Sequence, residues 1–365
     1  MKVNGESYES IWLDEEDNRL IRVIDQRKLP YSFEILTLSS VEEIFNAISN
    51  MTVRGAPLIG AAGAFGIYLA CLEMNSKTRY QDHISNAARF LISARPTAVN
   101  LEWAVNMQME RLAGAGSKDE MIDISRETAI EITANEANNC KLIGEAGLEL
   151  IKDISEKKGG NTVNILTHCN AGWLACVDYG TATAPIYLAH DRGRDVHVWV
   201  DETRPRNQGS RLTAFELGQH GVPYTVISDN AGGLLMQKGM VDIVIVGCDR
   251  ASANGDVANK IGTYLKALAA KDSGIPFYSA LPTSTIDRSI KNGLKEIVIE
   301  ERDEREVTHI EGWHDNGIVE VGLCPGGARA SNYGFDITPS RLINGLITEK
   351  GIVDASKNGI NSLFK

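Results

Sequence analysis

The sequence predicts an α/β chain in two parts: residues 1–155 form a smaller, mainly helical domain carrying a small β-sheet, and residues 156–365 an open, doubly wound parallel-sheet domain. Three observations carry this. Apolar residues recur at spacings of three and four through long Ala- and Glu-rich stretches of the first part. From residue 161 the pattern becomes short apolar runs alternating with helical stretches. The Lys157-Lys158-Gly159-Gly160 stretch separates the two as a linker or loop.

Taken in order, β-type runs around Ile11-Trp12 and residues 20–24 supply the small sheet, and residues 41–49 read as one short helix. Residues 55–72 carry no charge and reach the length at which a membrane span is considered. Their Gly and Ala content is only weakly lipophilic, and Pro57 stands where a helix begins, so a tightly packed interior helix is expected. Residues 100–113 and 119–151 complete the helical part, although Ile and Thr between 122 and 133 lower the local propensity. The second part then offers strands at 163–166, 196–200, 224–227, 243–246 and 277–281, with helices such as 211–219 and 261–270 between them. Right-handed βαβ units follow from that alternation.

Composition narrows the function. The 365 residues are 43% hydrophobic and 23% charged, enough for about two cores. A net charge of -11 opposes nucleic acid and anionic lipid at long range, so no nucleic-acid or membrane partner is expected. A phosphate-bearing ligand would need a local cluster of Arg, Lys and backbone N–H groups. The six cysteines form no CxxC pair and no zinc-finger spacing, and the first twenty residues do not resemble a secretion signal. Free thiols in a reducing cytoplasm are expected, and neither a metal nor a cofactor.

In an open parallel sheet the ligand crevice lies at the carboxyl ends of the strands. Those ends are polar here: Thr167-His168-Cys169-Asn170-Ala171-Gly172, Asp201-Glu202-Thr203-Arg204, Ser228-Asp229-Asn230, and Gly247-Cys248-Asp249-Arg250, continuing through Asn254-Gly255-Asp256 to Asn259-Lys260. None is a GxGxxG or GxxxxGK[ST] string, which argues against dinucleotide and nucleoside-triphosphate binding. Cys169 precedes a small-residue turn, where a thiol meets either a ligand or merely the core. Asp249 follows an apolar strand, so desolvation would raise its pKa and suit it to proton transfer, unless it simply caps backbone N–H groups. Arg54-Gly55-Ala56-Pro57 heads the small-residue helix with free N–H groups and a full positive charge, a pattern that suits an anion. Arg95-Pro96-Thr97 and Asn259-Lys260 would complete such a pocket. His168 reads as a group hydrogen-bonded within the fold before it reads as a base. The run from Glu300 to Glu306 alternates in sign and reads as a solvated face or capped loop.

Taken together, five strings resemble the methylthioribose 1-phosphate isomerase family of methionine salvage. They are Thr52-Val53-Arg54-Gly55-Ala56-Pro57, Ala94-Arg95-Pro96-Thr97-Ala98-Val99-Asn100, Leu166-Thr167-His168-Cys169-Asn170-Ala171-Gly172, Val200-Asp201-Glu202-Thr203-Arg204-Pro205 with Gln208-Gly209, and Asp249-Arg250 followed by Asn254-Gly255-Asp256-Val257-Ala258-Asn259-Lys260-Ile261-Gly262-Thr263. The resemblance spans nearly the whole chain and implies a cytoplasmic homodimer whose Rossmann-like C-terminal domain binds a sugar phosphate. It makes Cys169 and Asp249 the catalytic pair, and sets Arg54, Gly55, Ala56, Arg95, Gln208, Asn259 and Lys260 around the substrate. Trp173, Asp178 and Cys248 depart from the family pattern, and Trp173 is expected to add apolar lining near the substituent on ribose C5. Two rivals stand beside this reading: an isomerase of 5-deoxyribose 1-phosphate or ribose 1,5-bisphosphate, and a non-catalytic module like the exchange-factor subunits of translation initiation.

Overall fold

The structure, a computed structural model, describes residues 1–75, 79–315 and 317–365. Its first part opens with an antiparallel sheet of Ile11–Leu13, Ile21–Ile24 and Ile35–Leu38, followed by five helices: α1 (Val41–Ser49), α2 (Ala56–Glu73), α3 (Tyr80–Ser93), α4 (Val99–Leu112) and α5 (Lys118–Lys157). Ser40 starts α1 by accepting from the Glu43 N–H at 3.2 Å, while the Glu43 carboxylate reaches back to the Ser39 N–H at 2.6 Å. That reciprocal capping satisfies donors a helix start would otherwise leave open.

Every residue of α2 except the last two is buried. It is the one described helix apolar enough to cross a membrane, and 89% of it lies inside the protein, where it is the central helix of the first core. Glycine makes this packing possible: a Cβ at Gly63 or Gly66 would sit 2.5 Å from Leu101 or 2.8 Å from Leu91.

α5 is longer than its propensity suggests, because both of its halves are packed. Met121, Ala129 and Ile132 join the first core; Ile143, Leu148 and Ile151 join the second, against the strands. Burial of Thr128, Ile132 and Thr133 outweighs the few tenths of a kcal/mol of helix penalty that β-branched residues carry. The helix therefore runs through the boundary read at residues 155/156, and the two cores meet along it.

The second part is built on a seven-stranded sheet in the order Gly351–Val353, Gly345–Thr348, Phe277–Ala280, Ile243–Val246, Val163–Thr167, Val196–Asp201, Tyr224–Ile227. All neighbours are parallel except the first pair. The five strands expected from the apolar runs are all present. Leaving out the antiparallel edge, the chain order is 3-2-1-4-5-6, so the path reverses between Val163–Thr167 and Ile243–Val246. Directly after Ile243–Val246 the chain enters a four-stranded sheet, ordered Ile286–Asp287, Arg250–Ser252, Val257–Lys260, Phe335–Thr338. Residues 249–260, the polar stretch after that strand, are thus a hairpin that holds Asp249 and Lys260 on one frame. α6 (Ala184–Asp191) and α7 (Ala214–His220) flank the main sheet's strands. A two-stranded hairpin, His309–His314 with Gly317–Gly322, was not foreseen.

Candidate active site

The strands Val163–Thr167 and Ile243–Val246 are hydrogen-bonded neighbours, with Ile165 opposite Ile243. Their following loops diverge at the reversal of strand order and leave a cleft between them. Cys169 and Asp249 stand on its two sides. All nine residues singled out from sequence line this cleft: Cys169, Asp249, Arg54, Gly55, Ala56, Arg95, Gln208, Asn259 and Lys260.

Cys169 is held in an unusual backbone state. Its φ is +70°, a region that costs a non-glycine residue about 1–3 kcal/mol and persists only when its surroundings enforce it. Here they do: its N–H donates to Thr203 Oγ1 at 2.8 Å and its C=O accepts from Thr213 Oγ1 at 2.7 Å. Burial pushes the thiol up from its ordinary range, while the charges of Arg54 and Lys260 pull it back. Asp249 is fixed by its N–H donating to the Ala258 C=O at 2.9 Å. Burial raises its carboxyl, against the pull of Lys260, Arg95 and Arg54. Burial likewise lowers Lys260, which Cys169 and Asp249 counter. The three groups are thus electrostatically coupled.

The head of α2 forms the anion side. Gly55 has φ +97°, and a Cβ there would lie 2.3 Å from the Ala175 C=O, so only glycine lets the loop pass. Arg54 is nearly buried and donates both to Asn170 Oδ1 at 2.5 Å and to the Asn170 C=O at 2.6 Å. Lys260 lies 5.1 Å over the Phe335 ring. Two polar atoms in the cleft, Arg95 Nε and Gln208 Oε1, are buried without a protein partner. Such orphaned groups cost stability unless a ligand meets them.

Sequence reading missed Arg302, Glu300 and the apolar lining of Met51, Ala175, Cys176, Pro282 and Phe335. The run from Glu300 to Glu306 is not a plain solvated face. Arg302 lines the cleft and bonds Glu300 at 2.8 Å and Glu306 at 2.8 Å, and Glu300 also holds Arg95 at 2.9 Å. Burial alone would raise Glu306, but Arg302, Arg206 and Asn332 hold it down at about 2. Alternating charge signalled pairing; that the pairs turn inward was not encoded locally. Trp173 also corrects the reading: its side chain is fully buried among the second core and does not line the cleft. Cys248 does line it, whereas Asp178 pairs with the Met1 amino group at 2.7 Å.

His168 is structural in its contacts, with Nδ1 at 2.8 Å from Asp201 Oδ2 and Nε2 at 2.8 Å from the Ile261 C=O. His168, Asp201 and Asp229 are near enough to share a cation, yet Lys266 Nζ already sits 3.0 Å from Asp201 Oδ2 and 2.5 Å from the Asp229 C=O. An ammonium occupies that position.

A Rossmann-type order with reactive groups at its switch point and cations at a helix head defines a class of small-anion α/β proteins, and the comparisons place the chain within it. The chain belongs to the Initiation factor 2 subunit family, whose sequence model matches residues 52–355. Among its relatives are proteins named as isomerases. It is 57% identical to the methylthioribose-1-phosphate isomerase of Desulfatibacillum aliphaticivorans, covering 100% of this chain and 99% of that one, and 53% identical to the same-named protein of Sinorhizobium medicae at 100% and 99%. Among solved structures it matches the 5-methylthioribose 1-phosphate isomerase of Pyrococcus horikoshii OT3, with TM-score 0.84 and 38% identity over 98% of this chain and 96% of that one. The translation initiation factor eIF-2B delta subunit from A. fulgidus matches with TM-score 0.77 and 38% identity, covering 95% and 96%. The chain is an isomerase.

Proposed function

We propose that the chain converts 5-methylthioribose 1-phosphate into 5-methylthioribulose 1-phosphate, as a step of methionine salvage. The observation that carries this reading is the juxtaposition of Asp249 and Cys169 at the switch point beside Arg54 and Lys260. A phosphate on the anomeric oxygen prevents spontaneous ring opening, so the protein must protonate the ring oxygen as its bond to C1 breaks. Asp249, raised by burial, supplies that proton. Hydrogen then passes from C2 to C1, the C2 hydroxyl becomes the carbonyl, and the proton it releases returns to Asp249. Charge and protons balance over the cycle.

The charge census of the cleft favours one phosphate over two. Arg95 and Arg302 are matched by Glu300 and Glu306. That leaves Arg54 and Lys260, among the described residues, as the cleft cations with no ion pair shorter than 4 Å. Two positive charges suit one phosphate dianion. The apolar lining suits a methylthio group. Turnover measured on 5-methylthioribose 1-phosphate, 5-deoxyribose 1-phosphate and ribose 1,5-bisphosphate tests this, and preference for the bisphosphate overturns it.

Because burial keeps the Cys169 thiol protonated, it lacks the negative charge a base at C2 requires. Direct passage of hydride from C2 to C1, with the sulfur beside the cationic C1, is therefore the favoured route. Substrate carrying deuterium at C2 should retain the label at C1; washout into water makes Cys169 or a neighbour a base. The family resemblance supports a homodimer, checked by light scattering in solution. Six cysteines outside any disulfide support a reducing compartment such as the cytoplasm.

A further inference from the structure

Glu216 on α7 lies outside the cleft lining and plays no part in the chemistry above. It is nevertheless fully buried, and its carboxylate is the hub of the loop that carries Cys169. Oε1 accepts from Asn170 Nδ2 at 3.0 Å and from the Leu174 N–H at 2.8 Å, and Oε2 accepts from Tyr187 OH at 2.9 Å. The chain makes room for it at a cost: a Cβ at Gly172 would lie 1.6 Å from Oε2, so only glycine admits the carboxylate. An ionisable group at this depth destabilises unless every lone pair is used. This one is surrounded by donors.

The chemistry of those donors sets a direction. Arg54 has only N–H groups to offer, so the atom of the Asn170 amide facing it must be the oxygen. Burial raises the Glu216 carboxyl to about 7, and because its Oε1 accepts from the Leu174 N–H, the atom of the same amide facing Oε1 must be the NH₂. Thr213 Oγ1 also receives that NH₂ at 3.1 Å while donating to the Cys169 C=O. The amide of Asn170 is therefore locked in one of its two flips, with Glu216 behind it and the Arg54 guanidinium in front.

We propose that Glu216 is a positioning residue for phosphate binding, acting through the Asn170 amide to aim Arg54 at the substrate. The inference rests on the reading of Arg54 as a phosphate ligand. In the relay Glu216–Asn170–Arg54, the distal carboxylate fixes the amide, and the amide oxygen together with the Asn170 carbonyl grips both guanidinium nitrogens. Without the carboxylate, the amide is free to flip and present NH₂ to a donor, which would turn Arg54 away.

The test reads the competitive inhibition constant of inorganic phosphate and substrate KM, neither of which depends on how much protein folds, with kcat measured beside them. Arg54→Lys sets the scale, and unchanged phosphate affinity in that variant overturns the phosphate reading itself. Given a loss there, Glu216→Ala should weaken phosphate roughly five- to fiftyfold, as removal of a supporting hydrogen-bond partner does elsewhere. Glu216→Gln should recover most of that loss, since its amide oxygen still accepts from Asn170 and Leu174 and its NH₂ meets the Tyr187 oxygen. Asn170→Ala should weaken phosphate as Glu216→Ala does, and adding Glu216→Ala to it should weaken phosphate no further. A Glu216→Ala enzyme that melts earlier but binds phosphate normally overturns the proposal, as does additivity of the two losses. If the Glu216 variants do not fold, Asn170→Ala decides alone: unchanged phosphate affinity overturns it.

Discussion

Replacing Asp249 by Asn should make the protein inactive and no less stable, and the two effects have one structural cause. Asn keeps the shape of the side chain and a hydrogen-bonding head but has no proton to give to the ring oxygen. General acid catalysis contributes about 10²–10⁴ in rate, or about 2.7–5.4 kcal/mol of barrier. kcat should fall by that factor, with KM changing little because Arg54 and Lys260 remain. The stability effect follows from the raised carboxyl. The unfolded chain ionises Asp249 near the ordinary value of 3.8, while burial in the fold delays ionisation to higher pH. As pH rises through 3.8 the unfolded state releases its proton first, so the native state loses stability until the folded pKa is passed. The loss is about 1.4 kcal/mol per unit of elevation and is constant above that point. Asn does not titrate and escapes it. Melting temperatures of both proteins at pH 4 and pH 7.5, with kcat at pH 7.5, check this: the variant should gain on the wild type between the two pH values. Turnover within tenfold of wild type, or a variant that loses ground as pH rises, refutes the reasoning.

Cys169→Ser should reduce kcat by at least about a hundredfold, since the hydroxyl lacks the large polarisable sulfur beside the cationic C1; steady-state kinetics at saturating substrate reads it. Gly55→Ala places a methyl 2.3 Å from the Ala175 C=O at φ +97°, so it should lower stability by about 1–3 kcal/mol and raise KM through displacement of the helix head, measured by denaturant unfolding and kinetics. Glu300→Gln removes the carboxylate shared by Arg95 and Arg302, adds one net positive charge to the cleft, and should shift relative kcat/KM toward ribose 1,5-bisphosphate by roughly three- to tenfold. No shift would mean that the Arg95 and Arg302 pairs do not set the charge of the cleft.

The strands and the crevice were legible because each is written locally. Five apolar runs marked strands, and the polar residues after four of them marked strand ends, so Cys169 and Asp249 could be named before their neighbours were known. α2 was legible as interior from its Gly, Ala and Pro57. What stayed hidden depends on contacts distant in sequence. The pairing of Arg95 with Glu300 spans 205 positions, and Arg54 with Asn170 spans 116. Nothing near residue 300 says that its alternating charges turn inward. Trp173 was misplaced for the same reason, since adjacency to Cys169 in sequence does not reveal that a +70° φ sends the following residues into the core. The hairpin through residues 250–260 escaped because its strands are only three and four residues long, too short for a period-2 pattern to show.

Backbone likeness alone does not separate an isomerase from an initiation-factor subunit, since a solved structure of each matches this chain at 38% identity, with TM-scores of 0.84 and 0.77. The separation has to come from the cleft. A regulatory module on this scaffold needs a core, a sheet and binding surfaces, none of which requires a thiol in a costly backbone state across a cleft from a carboxyl whose pKa burial raises. Here Thr203 and Thr213 enforce the first, and the hairpin that also carries Lys260 enforces the second. The backbone state of Cys169 costs about 1–3 kcal/mol relative to glycine, and the raised Asp249 carboxyl lowers stability once the unfolded chain would ionise it. Arg95 Nε and Gln208 Oε1, buried without partners, add to that cost. Destabilising features gathered on opposite faces of one cleft are what chemistry demands and what a purely structural crevice lacks, and this balance, more than the fold, supports catalysis by the chain.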